Sequence, residues 1–503
     1  MQNKKHFISY TLLLSAGILF SSCTKDFEEL NTPPTSVTAV DPGLLLSKVQ
    51  KDAAFAEGNE RANIEIGSWI QYWAGGQVAP VSRYIQQPTD LVWSAHYTLL
   101  RNLGQIRNQS LKGMEEMPAG RTKLAIARIM EISVWQRLTD LFGAVPFSTT
   151  TADAGDVQSK PTYDSQEIIY TTLITDLDAA IAKLTSTDLS YGNADFYYKG
   201  NIDKWRRFGN SLKLRLGMRI RFANPTLAEK TVREAMAQPL LLNNADNAAI
   251  PTYNDAQTIN MHPILQQFIG GSADLRYLAD AFVNTLKNTN DPRLPFIAEA
   301  TVNSKKAGTP AYSGIGVALT DAQLLGVIKD DHSTASLTTY FNKSLSTTIP
   351  CYVFTYADVC FFKAEAALLG WGATQAEAES FYQDGIRAAM ALLPFNITTI
   401  PQAYIDAQFS FTGLSDEEKL EKIMTQKWIL LFGRDYEAFA EWRRTGYPVL
   451  TPGDNVGSTN GTIPRRAVYS SLELLLNTDS YNAAVKDLTQ GDSYLSKVWW
   501  DQK

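Results

Sequence analysis

The chain predicts a mainly α fold, in which helix pairs form a scaffold interrupted by a loop-rich insertion containing short strands. Three observations carry this. Apolar residues recur at helical spacing through most of the 503 residues. Several such segments pair through short breaks into units of about 35–45 residues, the scale of tetratricopeptide-type hairpins, although the strict repeat consensus is absent. Residues about 239–350 depart from the pattern, with turn signals and short apolar runs.

The N-terminus reads as an export leader. Lys4 and Lys5 precede an uncharged apolar stretch, Phe7 to Phe20, which at helical rise is too short to span a bilayer. Phe20-Ser21-Ser22-Cys23 then resembles a lipobox, with Phe20 where Leu is usual. Residues 1–22 are therefore expected to be a lipoprotein signal peptide and Cys23 the lipidated residue. Residues 23–42 follow as a flexible tether, since Asn31-Thr32-Pro33-Pro34 does not suit regular structure. Residues 43–503 are read as one domain, with the scaffold at about 43–238 and 351–503 and the insertion at about 239–350.

Each scaffold helix has its own signal. Ile126, Met130, Val134, Leu138 and Leu141 share one face. Asp164 with Glu167 looks like a capping box opening a helix with Ile169, Leu173, Leu177 and Leu184 on one stripe. Trp205, Phe208, Leu212, Leu216 and Ile220 repeat the pattern, and Asn224-Pro225 ends it before a further helix to about Gln238. Tyr356 to Leu369 is an Ala-rich helix broken at Gly370-Trp371-Gly372, with Tyr382, Ile386, Ala389 and Leu393 marking its partner. Ile423 to Arg444 is one long helix or a helix pair.

Composition excludes some functions. Formal charge is −6, and about −8 once a leader carrying two Lys and no acid is removed, which argues against nucleic acid as a partner. Charged residues make up 19%, while 22 Tyr, 22 Phe and 10 Trp suit stacking on neutral polar solutes. Cys351 and Cys360 read as two buried thiols rather than a disulfide. His6, His96, His262 and His332 are dispersed, and hydrolase, phosphate-loop and dinucleotide motifs are missing, so no catalytic residue, cofactor or metal is expected. A calcium site made of Asp and Asn, or the acid pair of a glycosidase, needs no local signature and is left open.

Charge clusters favour structural roles. Lys204, Arg206, Arg207, Lys213, Arg215, Arg219 and Arg221 fall on one helix and are expected to pair with acids of neighbouring helices. Arg443-Arg444 and Arg465-Arg466 are expected to tie helices and loops together. Aromatics outside the helical stripes are the ligand candidates: Trp69, Tyr72 and above all Trp73 before Gly75-Gly76, Tyr84 beside Arg83, Tyr253 with Asn254, and Tyr312. Trp93 and Tyr97, four apart on a helix, are assigned to packing.

Several stretches resemble one family. Tyr356-Ala357-Asp358 through Ala364-Glu365-Ala366, Gln426-Lys427-Trp428 through Gly433, and Trp442-Arg443-Arg444-Thr445-Gly446 are similar to motifs of SusD/RagB-type outer-membrane lipoproteins. Asp140 to Phe147, Asp291-Pro292-Arg293-Leu294, Ile463 to Asn477 and Trp499-Trp500-Asp501 fit in family order, covering nearly the whole mature chain. Asp358 stands where Glu is frequent, and Lys25-Asp26-Phe27 matches the family's acidic surface-export signal only in part. The resemblance implies four tetratricopeptide-like pairs, a lipid anchor in the outer membrane facing outward, and a SusC-like TonB-dependent barrel as partner. The expected function is non-enzymatic capture of oligosaccharides or peptides on the loops of 60–95 and 240–340, with the helical face docking the barrel. The alternatives are a surface glycosidase and a protein-only scaffold.

Overall fold

A computed structural model describes residues 40–56, 65–74, 83–150, 159–254, 258–270, 276–341, 349–454 and 457–503. The leader, Cys23, the tether to residue 39 and Gly75-Gly76 lie outside the described residues. Residues Pro42–Lys503 form one compact unit.

Several helices begin where a side chain satisfies a free N–H group of the first turn. The first three are α1 (Pro42–Ala56), α2 (Asp90–Gln105) and α3 (Arg121–Phe142). The next, α4 (Gln166–Ala182), starts after Ser165, whose hydroxyl accepts from the Ile168 N–H. The expected Asp164–Glu167 box is thus displaced. Asp164 instead accepts from the Ser148 N–H at 2.8 Å and its hydroxyl at 3.0 Å, because the neighbouring hairpin offers it unpaired donors. That hairpin pairs β1 (Val145–Pro146) with β2 (Tyr163–Asp164).

Asn201 caps α5 (Ile202–Arg219), and Asn224 caps α6 (Pro225–Met236) with Pro225 in its first turn. After the insertion, α7 (Tyr356–Leu368) opens with a Thr355–Asp358 capping box and packs on α8 (Ala378–Met390). Gly385 lets them close: a Cβ there would lie 2.7 Å from the Phe361 ring. The Ile423–Arg444 stretch is a pair, α9 (Asp416–Leu430) and α10 (Asp435–Thr445). Four helix pairs therefore pack against each other: α3 with α4, α5 with α6, α7 with α8, and α9 with α10. Two short helices close the chain, α11 (Ser471–Leu476) and α12 (Thr478–Lys486).

The basic helix α5 is an internal hub. Arg219, fully buried, meets Glu437 at 2.5 Å, Glu441 at 3.2 Å and Asp140 at 3.7 Å. Lys213 reaches Asp178 at 2.7 Å and Glu234 at 2.8 Å, and Arg221 reaches Glu365 at 2.8 Å. The paired arginines are structural too. Arg443 donates to the carbonyls of Arg465 and Asp140, while Arg465 and Arg466 pair with Asp501 and Asp492. Asp358, at the family's variable acid position, takes Arg434 on both oxygens at 2.8 and 3.0 Å. Cys351 and Cys360 are free and buried, and burial pushes the Cys360 thiol up to about 12.

The insertion holds more helix than expected, including Asp280–Asn288, Val302–Lys306 and Asp321–Leu325. Thr301 and Thr320 cap the last two, which explains why short polar stretches there turn helical. Its strands are few. Among its described residues, Ala248–Ile250 pairs with Cys351–Phe354, and the other pairings are single bridges.

Candidate functional site

Extended segments of the insertion build a platform. Trp73 bridges Leu278, Tyr277 bridges Thr334, and Ala279 bridges Ile315. Backbone bonds lace them together, from the Ala279 N–H to Tyr72 O at 2.9 Å and from the Ser333 N–H to Ser313 O at 2.7 Å. Gly314 lies within this lattice. A Cβ there would come 2.5 Å from Asp280 Cα, so the segment's close approach requires glycine.

An aromatic core supports the platform. Tyr72 stacks on Trp428 at 5.1 Å, Phe282 on Phe432 at 4.8 Å, and Trp73 packs against Phe268 and Phe432. The Trp73 indole N–H lies 3.3 Å from Asp435. This corrects the reading of Trp69, Tyr72 and Trp73 as ligand-facing rings. Trp73 is 2% exposed, and its faces are occupied by residues far away in sequence. Tyr84 is corrected likewise, at 0% exposure.

Beside the platform, segments 83–87, 312–325, 449–454 and 457–462 meet in a polar rim. Arg83 donates to Asp321 at 2.5 Å, Gln323 to Asp454 at 2.7 Å, and the Gln86 N–H to the Ser458 hydroxyl at 3.3 Å. The Gln71 amide reaches Thr451 O at 2.6 Å, tying the rim to the platform. Asp321 is 85% exposed, and Leu325, at 89%, stands beside it on the same helical turn. Tyr312 is half-buried in this region. Burial raises its phenol pKa, with the charge of Glu299 adding.

Backbone strain gathers in the same segments. Gln71, Tyr84, Ala318 and Asn460 have φ of 59°, 54°, 48° and 49°, in the left-handed region that side chains other than glycine rarely adopt. Such strain persists where surrounding contacts over-determine it, and it concentrates at ligand sites.

Tyr253 and Asn254 sit elsewhere, on the chain leaving Ala248–Ile250. The Tyr253 N–H donates to Asn260 O at 2.8 Å, and Lys51 of α1 holds the Asn260 side chain at 3.1 Å. Tyr253 is 44% exposed. Of the sequence candidates, then, Arg83 and Tyr312 belong to the platform and its rim with usable surface, and Tyr253 and Asn254 form a separate patch. Residues 90–95, counted among the ligand loops, are the first turns of α2.

Sequence reasoning missed Asp321, Gln323 and Asp454. The Thr320-Asp321-Ala322-Gln323 capping box was a readable signal for a helical turn there. The pairing with Arg83 and Asp454 was not.

Alternating donors and acceptors beside an apolar edge suit hydroxyl- or amide-rich ligands. Among the described residues, the carboxyls pushed up in pKa are Asp140 and Asp384, chiefly by burial. Asp140 is sealed in the core against Tyr170 and Trp500, and Asp384 lies on α8. No group of three His, Cys, Asp or Glu among the described residues is placed to hold a metal ion. No described helix is long and apolar enough to cross a membrane.

The fold defines a class: a helix-pair scaffold carrying a loop-rich insertion. The comparisons agree with that class. A family profile described as starch-binding and associating with the outer membrane matches residues 34–470, and the chain belongs to this SusD-like family. A chitin-binding protein superposes with TM-score 0.77 at 27% identity, over 92% of this chain and 100% of that one. A SusD homologue from Bacteroides ovatus gives 0.73 at 25%, over 92% and 100%. For the fold alone, a chitin-binding SusD homologue from Flavobacterium johnsoniae gives 0.74 at 24%, over 91% and 98%. Among curated proteins, none matches the sequence.

Proposed function

We propose that this chain is a lipid-anchored, non-catalytic glycan-binding protein of the outer membrane that hands oligosaccharide to a SusC-like TonB-dependent barrel. The carrying observation is the rim in which Arg83–Asp321 and Gln323–Asp454 present directed polar groups beside a rigid aromatic platform. Loop-borne groups on a firm scaffold are the usual design of a recognition surface. The glycan reading, rather than peptide, draws on the family's starch-binding description and on the chitin-binding neighbour. The anchor reading rests on the leader ending at Cys23.

Docking to the barrel is best supported at α11, where Leu472, Leu474, Leu475 and Leu476 are all exposed. Consecutive exposed leucines on one short helix mark an interaction surface.

The test is calorimetric titration of the mature protein with chito- and malto-oligosaccharides and with short peptides, alongside an assay for new reducing ends. Glycan heats without turnover are expected. Heats with peptides alone would replace the cargo, and turnover would replace binding by glycosidase activity.

A further inference from the structure

The Trp499-Trp500-Asp501 run leaves one residue without a structural task. Trp500 is fully buried and donates its indole N–H to Asp140 at 2.7 Å. Asp501 is buried and pairs with Arg465. Trp499 is only half-buried, and its indole N–H makes no hydrogen bond to a described residue. Tyr170 braces its ring, with centroids 6.4 Å apart at 43°. Tryptophan is highly buried on average in folded proteins, and a ring left partly wet is favoured at binding surfaces.

Trp499 lines an open cleft of about 740 Å³, bounded by α12 and the segment 497–502. The polar groups of this cleft are largely uncommitted. Asp479, Ser480, Asp487 and Thr489 line it, and their side chains make no hydrogen bond or ion pair to a described residue. The Gln502 amide donates to the Trp499 carbonyl at 2.6 Å, which leaves its Oε1 as an acceptor. The other charges of the lining are engaged, Asp501 by Arg465 and Lys497 by the Lys503 carbonyl at 2.6 Å. Asp487 also breaks a local rule. It caps the C-terminal end of α12, where the helix dipole disfavours a carboxylate. Local rules are broken chiefly at functional positions.

The uncommitted groups are mostly acceptors, so they suit a ligand rich in hydroxyl donors. A carboxylate can take two neighbouring hydroxyls at once. The indole offers a flat apolar wall for the C–H face of a sugar ring. At helical rise Asp479 and Asp487 stand about 12 Å apart, so a ligand that reaches both is longer than one ring. The cleft volume lies in the range of small-ligand sites.

We propose that this cleft is a second carbohydrate site, which takes a short run of neutral pyranose units by stacking one on Trp499 and accepting hydroxyls at Asp479 and Asp487. It uses no residue of the rim, so its failure would leave the rim reading intact.

The test labels the mature protein with fluorotryptophan and follows its fluorine NMR spectrum during titration with maltotriose, cellotriose, chitotriose and glucose. Trp499→Phe assigns the Trp499 signal. At least one trisaccharide should move that signal saturably, at least about tenfold more tightly than glucose does, and the movement should persist in Arg83→Ala. Ala483→Phe fills the cleft from an exposed position on α12, so it should weaken binding by at least about tenfold with an unchanged circular dichroism spectrum. Asp487→Ala should weaken it by about tenfold. A Trp499 signal that none of the trisaccharides moves, one that moves only while Arg83 is present, or one that moves equally in Ala483→Phe and Asp487→Ala would overturn the proposal.

Discussion

Glu365 on α7 and Arg444 on α10 meet side-on, with Nη1–Oε1 at 2.5 Å and Nη2–Oε2 at 2.7 Å, and neither side chain is exposed. Arg221 adds a contact to Glu365 at 2.8 Å, and Glu441 bonds Arg444 at 2.7 Å. Three of the four helix pairs are joined through this one cluster. Burial by itself raises the Glu365 pKa, yet the Arg444 and Arg221 charges outweigh it and hold the carboxyl below its ordinary range.

Glu365→Gln should therefore destabilise the fold by about 3–5 kcal/mol, because it leaves buried guanidinium charge uncompensated. Urea unfolding should show a lower midpoint with unchanged slope. A loss under about 1 kcal/mol would show that water already reaches the cluster.

Acid should weaken the fold in a defined window. Burial holds the imidazoles of His96 and His262 down to about 4 and about 3, with the Arg137 charge adding for His96. Between those values and the ordinary 6.5, the unfolded chain binds more protons than the folded one, so stability falls as pH falls. Asp358 and Glu365, held low by arginines against the pull of burial, act in the same direction below about 4. The melting temperature should drop from pH 6.5 toward 4, and His96→Leu should remove about 3 kcal/mol of that dependence. An unaltered profile in the variant would mean that the imidazole is charged in the fold.

Trp73→Ala should act as a core mutation. Loss of about 3–5 kcal/mol is expected, with glycan affinity of the folded fraction unchanged. Affinity lost without a change in stability would return Trp73 to the ligand surface.

Arg83→Ala should do the reverse. Its pair with an 85% exposed Asp321 is worth about 0–1 kcal/mol to the fold, so melting should barely move. Glycan affinity should fall by about tenfold.

Cys23→Ala should release the protein from the membrane fraction, read by fractionation and by the mass of the mature N-terminus. Retention of the variant with the membrane would require another anchor.

Local chemistry was legible in the chain alone. Helix positions followed from apolar spacing and from Asn224-Pro225, because periodicity and caps act within a few residues. The structural role of the α5 charges was readable too, since a net acidic chain supplies partners for a basic helix. Tertiary structure alone decided which aromatics face solvent. Trp73 is buried by Phe268 and Phe432, and Tyr72 by Trp428, all distant in sequence. It alone joined Arg83 to Asp321 and Gln323 to Asp454, and shifted the cap from Asp164 to Ser165. Burial and rim pairing depend on which remote segments fold back onto a residue, and short-range pattern carries no trace of that.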